Sequence, residues 1–146
     1  MKSNDLGFTL TELLIVIAII GILGAVALPY MKGHIIKARL TEVANAMTVL
    51  KSAVTAYHHD TETSWPDCPT IDAVRTSLGV GLTSIGRVSA VSVSPVDGMI
   101  SVTVDNIDPM VNNKTLIITP NVTGDGSIRW VWGSSADFPM HLRPRS

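Results

Sequence analysis

The chain has 146 residues, of which 46% are hydrophobic and 16% charged, and its formal net charge is −1. This apolar content at near-zero charge excludes a disordered chain, and a single cysteine, Cys68, excludes an intrachain disulfide framework. The hydrophobic residues are unevenly spread: residues 8–31 hold 18 in 24 positions, or 75%, against 40% elsewhere. No second apolar run is long enough to cross a bilayer, so a polytopic membrane protein is excluded. The charge gives no case for a specific nucleic-acid partner.

Residues 1–7 carry Lys2 and Asp5, and residues 8–31 carry only Glu12. At 1.5 Å rise per residue, Phe8 to Leu28 spans roughly 30 Å, one hydrocarbon core. An ordinary secretory signal has a basic start and a small-residue cleavage site after a shorter apolar run. Here the start is weakly basic. Ala25-Val26-Ala27 resembles such a site, but Leu28-Pro29 follows and a helical pattern resumes. Glu12 is out of place in an apolar helix, where a carboxylate costs on the order of 3 kcal/mol at mid-bilayer and less near the end. The usual remedy is a partner charge. If the chain began at Phe8, its new ammonium would sit one helical turn from Glu12.

Gly7-Phe8-Thr9-Leu10-Thr11-Glu12, followed at once by an apolar helix, closely resembles the type IV prepilin motif. The resemblance implies that a prepilin peptidase cuts after Gly7 and N-methylates Phe8. It also implies that Glu12 neutralises the terminal amine of a neighbouring subunit during assembly. A buried charge is tolerated when paired, so Glu12 would act as a register device. The positive-inside rule, counting Lys32, Lys37 and Arg39 against Lys2, favours a cytoplasmic C-terminus. The resemblance implies the reverse, with the leader cytoplasmic and the head outside.

Gly21, Gly24 and Pro29 interrupt the apolar helix. Glycine and proline weaken helices, so they mark a kink or loose stretch, or glycines that let helices pack closely. Pilins commonly have glycine and proline here, and the resemblance implies loosening inside the filament. Beyond Pro29, Ile36, Leu40, Val43, Met47, Leu50, Val54 and Tyr57 recur in steps of four and three, widened by Ala38, Ala46, Ala53 and Ala56. This stripe predicts an amphipathic helix lying on the chain's own sheet. One helix of about 50 residues is therefore expected from Phe8 to near His58. Residues 32–59 are basic and residues 60–146 acidic, so attraction between helix and head is expected, within a subunit or between subunits.

Residues 60–146 read as a head. Ser64-Trp65-Pro66-Asp67-Cys68-Pro69 is loop, and residues 71–78 form a short helix capped by Thr70 or Asp72. Four strands follow. Val88, Ala90 or Val91, and Val93 make the first, and Ile100, Val102 and Val104 the second, joined by a Pro95-Val96-Asp97-Gly98 turn. Leu116 and Ile118 mark the third, and Ile128, Trp130 and Trp132 the fourth, after Gly124-Asp125-Gly126. The apolar face of such a sheet needs the helical stripe as cover. The expected fold is α+β, a long N-terminal helix packed on a four-stranded antiparallel sheet in a pilin-like roll. The expected divisions are a leader at 1–7, an apolar half-helix at 8–31, an amphipathic half at 32–59 and the head at 60–146.

Gly126-Ser127-Ile128-Arg129-Trp130-Val131-Trp132 resembles the last strand of type IVa pilins, where the position of Trp132 is usually a cysteine paired near the C-terminus. This chain has neither cysteine. Its Phe138–Pro144 tail must close by packing, or by pairs such as Asp137 with Arg143.

Other constellations have plainer readings. Cys68 is a free thiol, a cross-subunit bridge or inert, and inert is the expectation. His58, His59, Asp60 and Glu62 could suggest metal, but histidines at a helix end complement its dipole. Asp105, Asn106 and Asp108 could suggest calcium, though a turn explains them. Asn113-Lys114-Thr115 and Asn121-Val122-Thr123 fit a sequon that recurs by chance. The seven aromatic residues are sparse for a conducting filament and suit core packing. No catalytic constellation, cofactor motif or metal spacing appears, so no enzyme, cofactor or metal is expected.

The sequence therefore points to a structural subunit of a type IV pilus. Its expected partners are identical subunits, prepilin peptidase, an inner-membrane assembly platform, minor pilins, and membrane lipid before assembly. It would reside in the inner membrane and then in an extracellular filament for adhesion, motility or DNA uptake. The alternatives are a pseudopilin of a type II secretion system and a membrane-tethered periplasmic binding domain that never polymerises.

Overall fold

The computed structural model describes residues 8–61, 64–82 and 86–144. The expected leader with Gly7, and Glu62, lie outside the described residues. The chain divides into two compact units at Ile35/Ile36, and one helix, α1 (Leu10–Asp60, 51 residues), contributes to both.

In the first unit, the large apolar side chains from Phe8 to Ile35 are exposed. Leu10–Leu28 is long and apolar enough to cross a membrane, and none of it is buried within the chain. The helix is unbroken through Gly21, Gly24 and Pro29.

The second unit contains α1 from Ile36 onward, α2 (Ile71–Leu78) and the strands β1 (Val88–Val93), β2 (Ile100–Val104), β3 (Thr115–Val122) and β4 (Ile128–Ser134). The strands form one antiparallel meander in the order β1-β2-β3-β4. This is the pilin-type α+β roll. Ile36, Leu40, Val43, Met47, Leu50 and Val54 are buried in one core with Val91, Val93, Ile100, Val102, Val104, Leu116 and Ile118. The helical period of 3.6 and the strand period of 2 thus meet on one interface. Each large side chain buried there contributes about 1.5–3 kcal/mol.

The stripe weakens at its upper end. Tyr57 is only half-buried and Ala38 and Ala56 are exposed, while His58 is buried. The cause is Trp65, whose indole stacks on the His58 imidazole at 3.8 Å between centroids. In β1 the register shifts between Val88 and Ala90. This bulge adds a residue, so Val91 and not Ala90 reaches the core. β4 lies at the sheet's edge, and Ile128, Trp130 and Trp132 are half-buried there.

α2 is capped by Thr70, whose side chain accepts from the Ala73 amide at 3.2 Å, and ends at Gly79 with φ 68°. Cys68 pairs its backbone with Val93 and so covers the β1 edge. The tail closes without a disulfide. Phe138 and Leu142 insert into the core, the latter from a 3₁₀ turn at Met140–Leu142. Lys114 Nζ donates to the Asp137 carbonyl, and the Ser135 amide donates to the Thr115 carbonyl at 2.8 Å. The tail is thus held by packing and backbone bonds. Asp137 and Arg143 form no ion pair.

Candidate functional site

The start of α1 carries the residues that the sequence singles out for assembly. Phe8 is 83% exposed and precedes the helix. Thr9 stands at the N-cap position and Glu12 three residues on. The Thr9 amide donates to Glu12 Oε2 at 2.9 Å and Thr9 Oγ1 donates to the same oxygen at 2.8 Å. In return, the Glu12 amide donates to Thr9 Oγ1 at 3.3 Å. This is a capping box, in which each residue satisfies an amide that the first helical turn leaves without a partner. The T-x-x-E spacing is the signal in the sequence for this cap, beside the charge that sets Glu12 apart in an apolar helix. All the carboxylate's bonds fall on Oε2. Among the described residues nothing donates to Oε1, and the side chain is exposed.

Gly21 and Gly24 have no neighbour within 4 Å of a built-in Cβ. Packing within the chain therefore gives no reason for glycine at either position. Glycine in a helix permits backbone freedom and close approach of another helix.

The other constellations resolve into local structure. His58 is stacked on Trp65, and its Nδ1 lies 3.3 Å from the Ser64 carbonyl. His59 and Asp60 point to solvent. Asp105 and Asp108 accept from the amides of Asn106 and Met110, and Asn112 Oδ1 accepts from the Ile107 and Asp108 amides. These oxygens order the 105–114 loop, where Asn106 and Asn113 take φ values of 52° and 60°. Among the described residues no group of three or more His, Cys, Asp or Glu gathers. Cys68 is fully buried, and burial holds its thiol above the usual range against a smaller opposing bond from Ser77.

The expected attraction between basic helix and acidic head takes another form. The one ion pair among the described residues joins a helix acid to a head base, Glu42 with Arg87. Arg39 donates from its guanidinium to the Ile107 carbonyl at 2.8 Å. Neither bond was legible, because the first reverses the net charges of the two segments and the second uses a backbone acceptor.

An exposed apolar helix opened by a capped glutamate, joined to a helix-on-sheet roll, defines a class of filament subunit. Comparison with known proteins agrees. Residues 2–28 match the prokaryotic N-terminal methylation motif, and residues 36–146 match the pilin (bacterial filament) family. The chain belongs to the pilin family. It is 36% identical over 142 residues to the fimbrial protein EcpC of Eikenella corrodens, covering 94% of this chain and 88% of that protein. It is 34% identical over 135 residues to the type IV major pilin protein PilE of Neisseria gonorrhoeae, covering 91% and 77%. A fimbrial protein of Neisseria meningitidis serogroup A is 35% identical over 135 residues, covering 91% and 75%. These relatives are structural proteins.

Proposed function

We propose that this chain is the building subunit of a type IV pilus, made as a prepilin and stored in the inner membrane. Prepilin peptidase cuts after Gly7 and methylates Phe8. The 8–31 helix holds the subunit in lipid until an assembly platform extracts it, with minor pilins, into an extracellular homopolymer. There Glu12 neutralises the Phe8 amine of a neighbour, and Gly21, Gly24 and Pro29 let the helix loosen as it packs. Adhesion, motility and DNA uptake are uses of such a filament.

The observation that carries this reading is the bare apolar surface from Phe8 to Met31, interrupted by the single charge of Glu12. A face this large must be covered by lipid or protein. The free Oε1 of Glu12 fits a cation supplied from outside the chain.

The test is the mass of the mature N-terminus together with the location of the chain. The expected result is a chain beginning at N-methyl-Phe8, recovered in filaments sheared from the cell surface. A short periplasmic assembly would assign the pseudopilin reading instead. An uncut leader on a chain that never polymerises would assign the tethered binding domain.

A further inference from the structure

We infer that the head of one copy docks its acidic end into a cationic groove at the opposite end of the next copy. The inference rests on the pilus-subunit reading and names the contact that orders its heads.

The second unit places four exposed carboxylates at one end of its α1 segment and a cationic groove at the other. Its upper end gathers three turns and the end of the helix. Trp65 packs on His58 by one face. Gly98 lies against the other, since fused-ring carbons are reached only through a face and a Cβ built there would fall 2.4 Å from one of them. Cys68 bridges to Val93 at the same end. The pairing of Val122 with Ile128 brings the 123–127 turn there too. These segments present Asp60, Asp67, Asp97 and Asp125, all exposed. Residues 64–70, 94–99 and 123–127 contain no lysine or arginine.

The lower end is fixed by Arg39 on the Ile107 carbonyl and by Glu42 on Arg87. The tail returns there, and between it and α1 lies a groove of about 420 Å³. Lys37 and Arg143 supply its charge, while Leu40, Leu142 and Pro144 supply apolar surface. A second groove runs along β4 from Arg129, beside the upper turn, down to Arg143 and Pro144. Among the described residues no carboxylate lines either groove.

Two features favour a second copy over a polyanion. The apolar surface suits a protein partner, whose side chains gain by burial, and every copy carries a matching anionic surface in its exposed upper carboxylates. Lys37 and Asp60 are 23 residues apart on one helix, roughly 35 Å. Groove and acidic end therefore cannot meet within one copy. Subunits drawn from one membrane share one orientation, so the contact is heterologous and propagates instead of closing into a dimer. Single surface pairs are weak, but this contact repeats at every subunit.

The test uses the full chain in a host where the parent forms filaments; a parent that forms none would sink the pilus reading itself and not this contact. Lys37→Glu with Arg143→Glu, and separately Asp60→Lys with Asp67→Lys, should each lower sheared filament by about tenfold or more, because like charges then face each other. Membrane levels should stay at parental values. All four changes in one chain should restore filaments, as should co-expression of the two double variants. Either set alone giving parental filament, or no recovery when the charges are swapped, would overturn the contact. Should a reversed chain be degraded, Arg143→Cys with Asp60→Cys should give a disulfide-linked ladder in filaments. Monomers alone from intact filaments would overturn it. Groove variants that assemble fully but lose retention of double-stranded DNA would assign the groove to a polyanion and likewise overturn it.

Discussion

Thr9 and Glu12 close on each other at the start of α1, with the Thr9 amide and hydroxyl both donating to Glu12 Oε2, at 2.9 Å and 2.8 Å. The carboxylate therefore has two separable roles, as a helix cap and as a charge. Glutamine also serves in a capping box, so Glu12→Gln keeps the cap and removes the charge, whereas Glu12→Ala removes both. Both variants are expected in the membrane at parental levels with no filaments on the surface. Thr9→Ala weakens the helix start by about 1 kcal/mol and should still assemble. Fractionation and immunoblotting of sheared filaments read all three. Parental piliation in Glu12→Gln would show that the cap is what assembly needs.

Gly98 is the tightest glycine in the head. Its φ is 68°, and a Cβ there would fall 2.4 Å from the Trp65 ring. Gly98→Ala must therefore push the indole away, at a left-handed position that alanine resists. The expected loss is about 2 kcal/mol or more, read as a lower Tm of the detergent-solubilised chain. Gly124→Ala, in a turn with open space around it, should leave Tm nearly unchanged.

The same corner shows what the sequence could and could not reveal. Six of the seven stripe residues, Ile36 to Val54, lie in the core because burial against one sheet imposes a strict 3.6 period. The last place in the core goes to His58, through a ring stacked from beyond the helix. No local pattern announces such a partner. The choice between Ala90 and Val91 was open because a bulge breaks the period of 2. β3 continues past Ile118 through Pro120, which pairs with Trp130, although proline ordinarily demotes a strand. At the assembly end, Phe8 and Glu12 were legible as chemistry out of place in lipid. The cap by Thr9 was overlooked, and Gly7 lies outside the described residues.

Asp125 ties the β3–β4 turn. Its Oδ1 accepts from the Thr123 hydroxyl at 2.7 Å, the Ser127 amide at 3.1 Å and the Ser127 hydroxyl at 2.8 Å. These bonds, the Thr123 hydroxyl first, hold its pKa down to about 2 from an ordinary 3.8. A depressed carboxylate stabilises the fold above its unfolded value and loses that contribution as pH falls through the folded one. The turn is therefore fully held above about pH 4 and released as pH falls toward 2. Hydrogen exchange at Ser127 should rise across that window beyond its intrinsic pH dependence. Asp125→Asn should remove the extra rise, and an unchanged profile in that variant would sink the assignment.

Phe138 does for this tail what a covalent bridge would otherwise do. It is 3% exposed, in a segment whose other anchors are Leu142, the Lys114 ammonium on the Asp137 carbonyl and the backbone bond from Ser135 to Thr115. Truncating a buried phenylalanine costs about 3–5 kcal/mol. Most of that loss should fall on the 135–144 segment, because the sheet keeps its own hydrogen bonds and the α1 stripe. Phe138→Ala is expected to expose the tail to chymotrypsin at Leu142 while the remainder of the head stays resistant. A time course of limited proteolysis with mass readout of the fragments follows this directly. Tail and head cleaved together would mean that Phe138 supports the whole core, and cleavage at the parental rate would mean that the backbone bonds alone suffice.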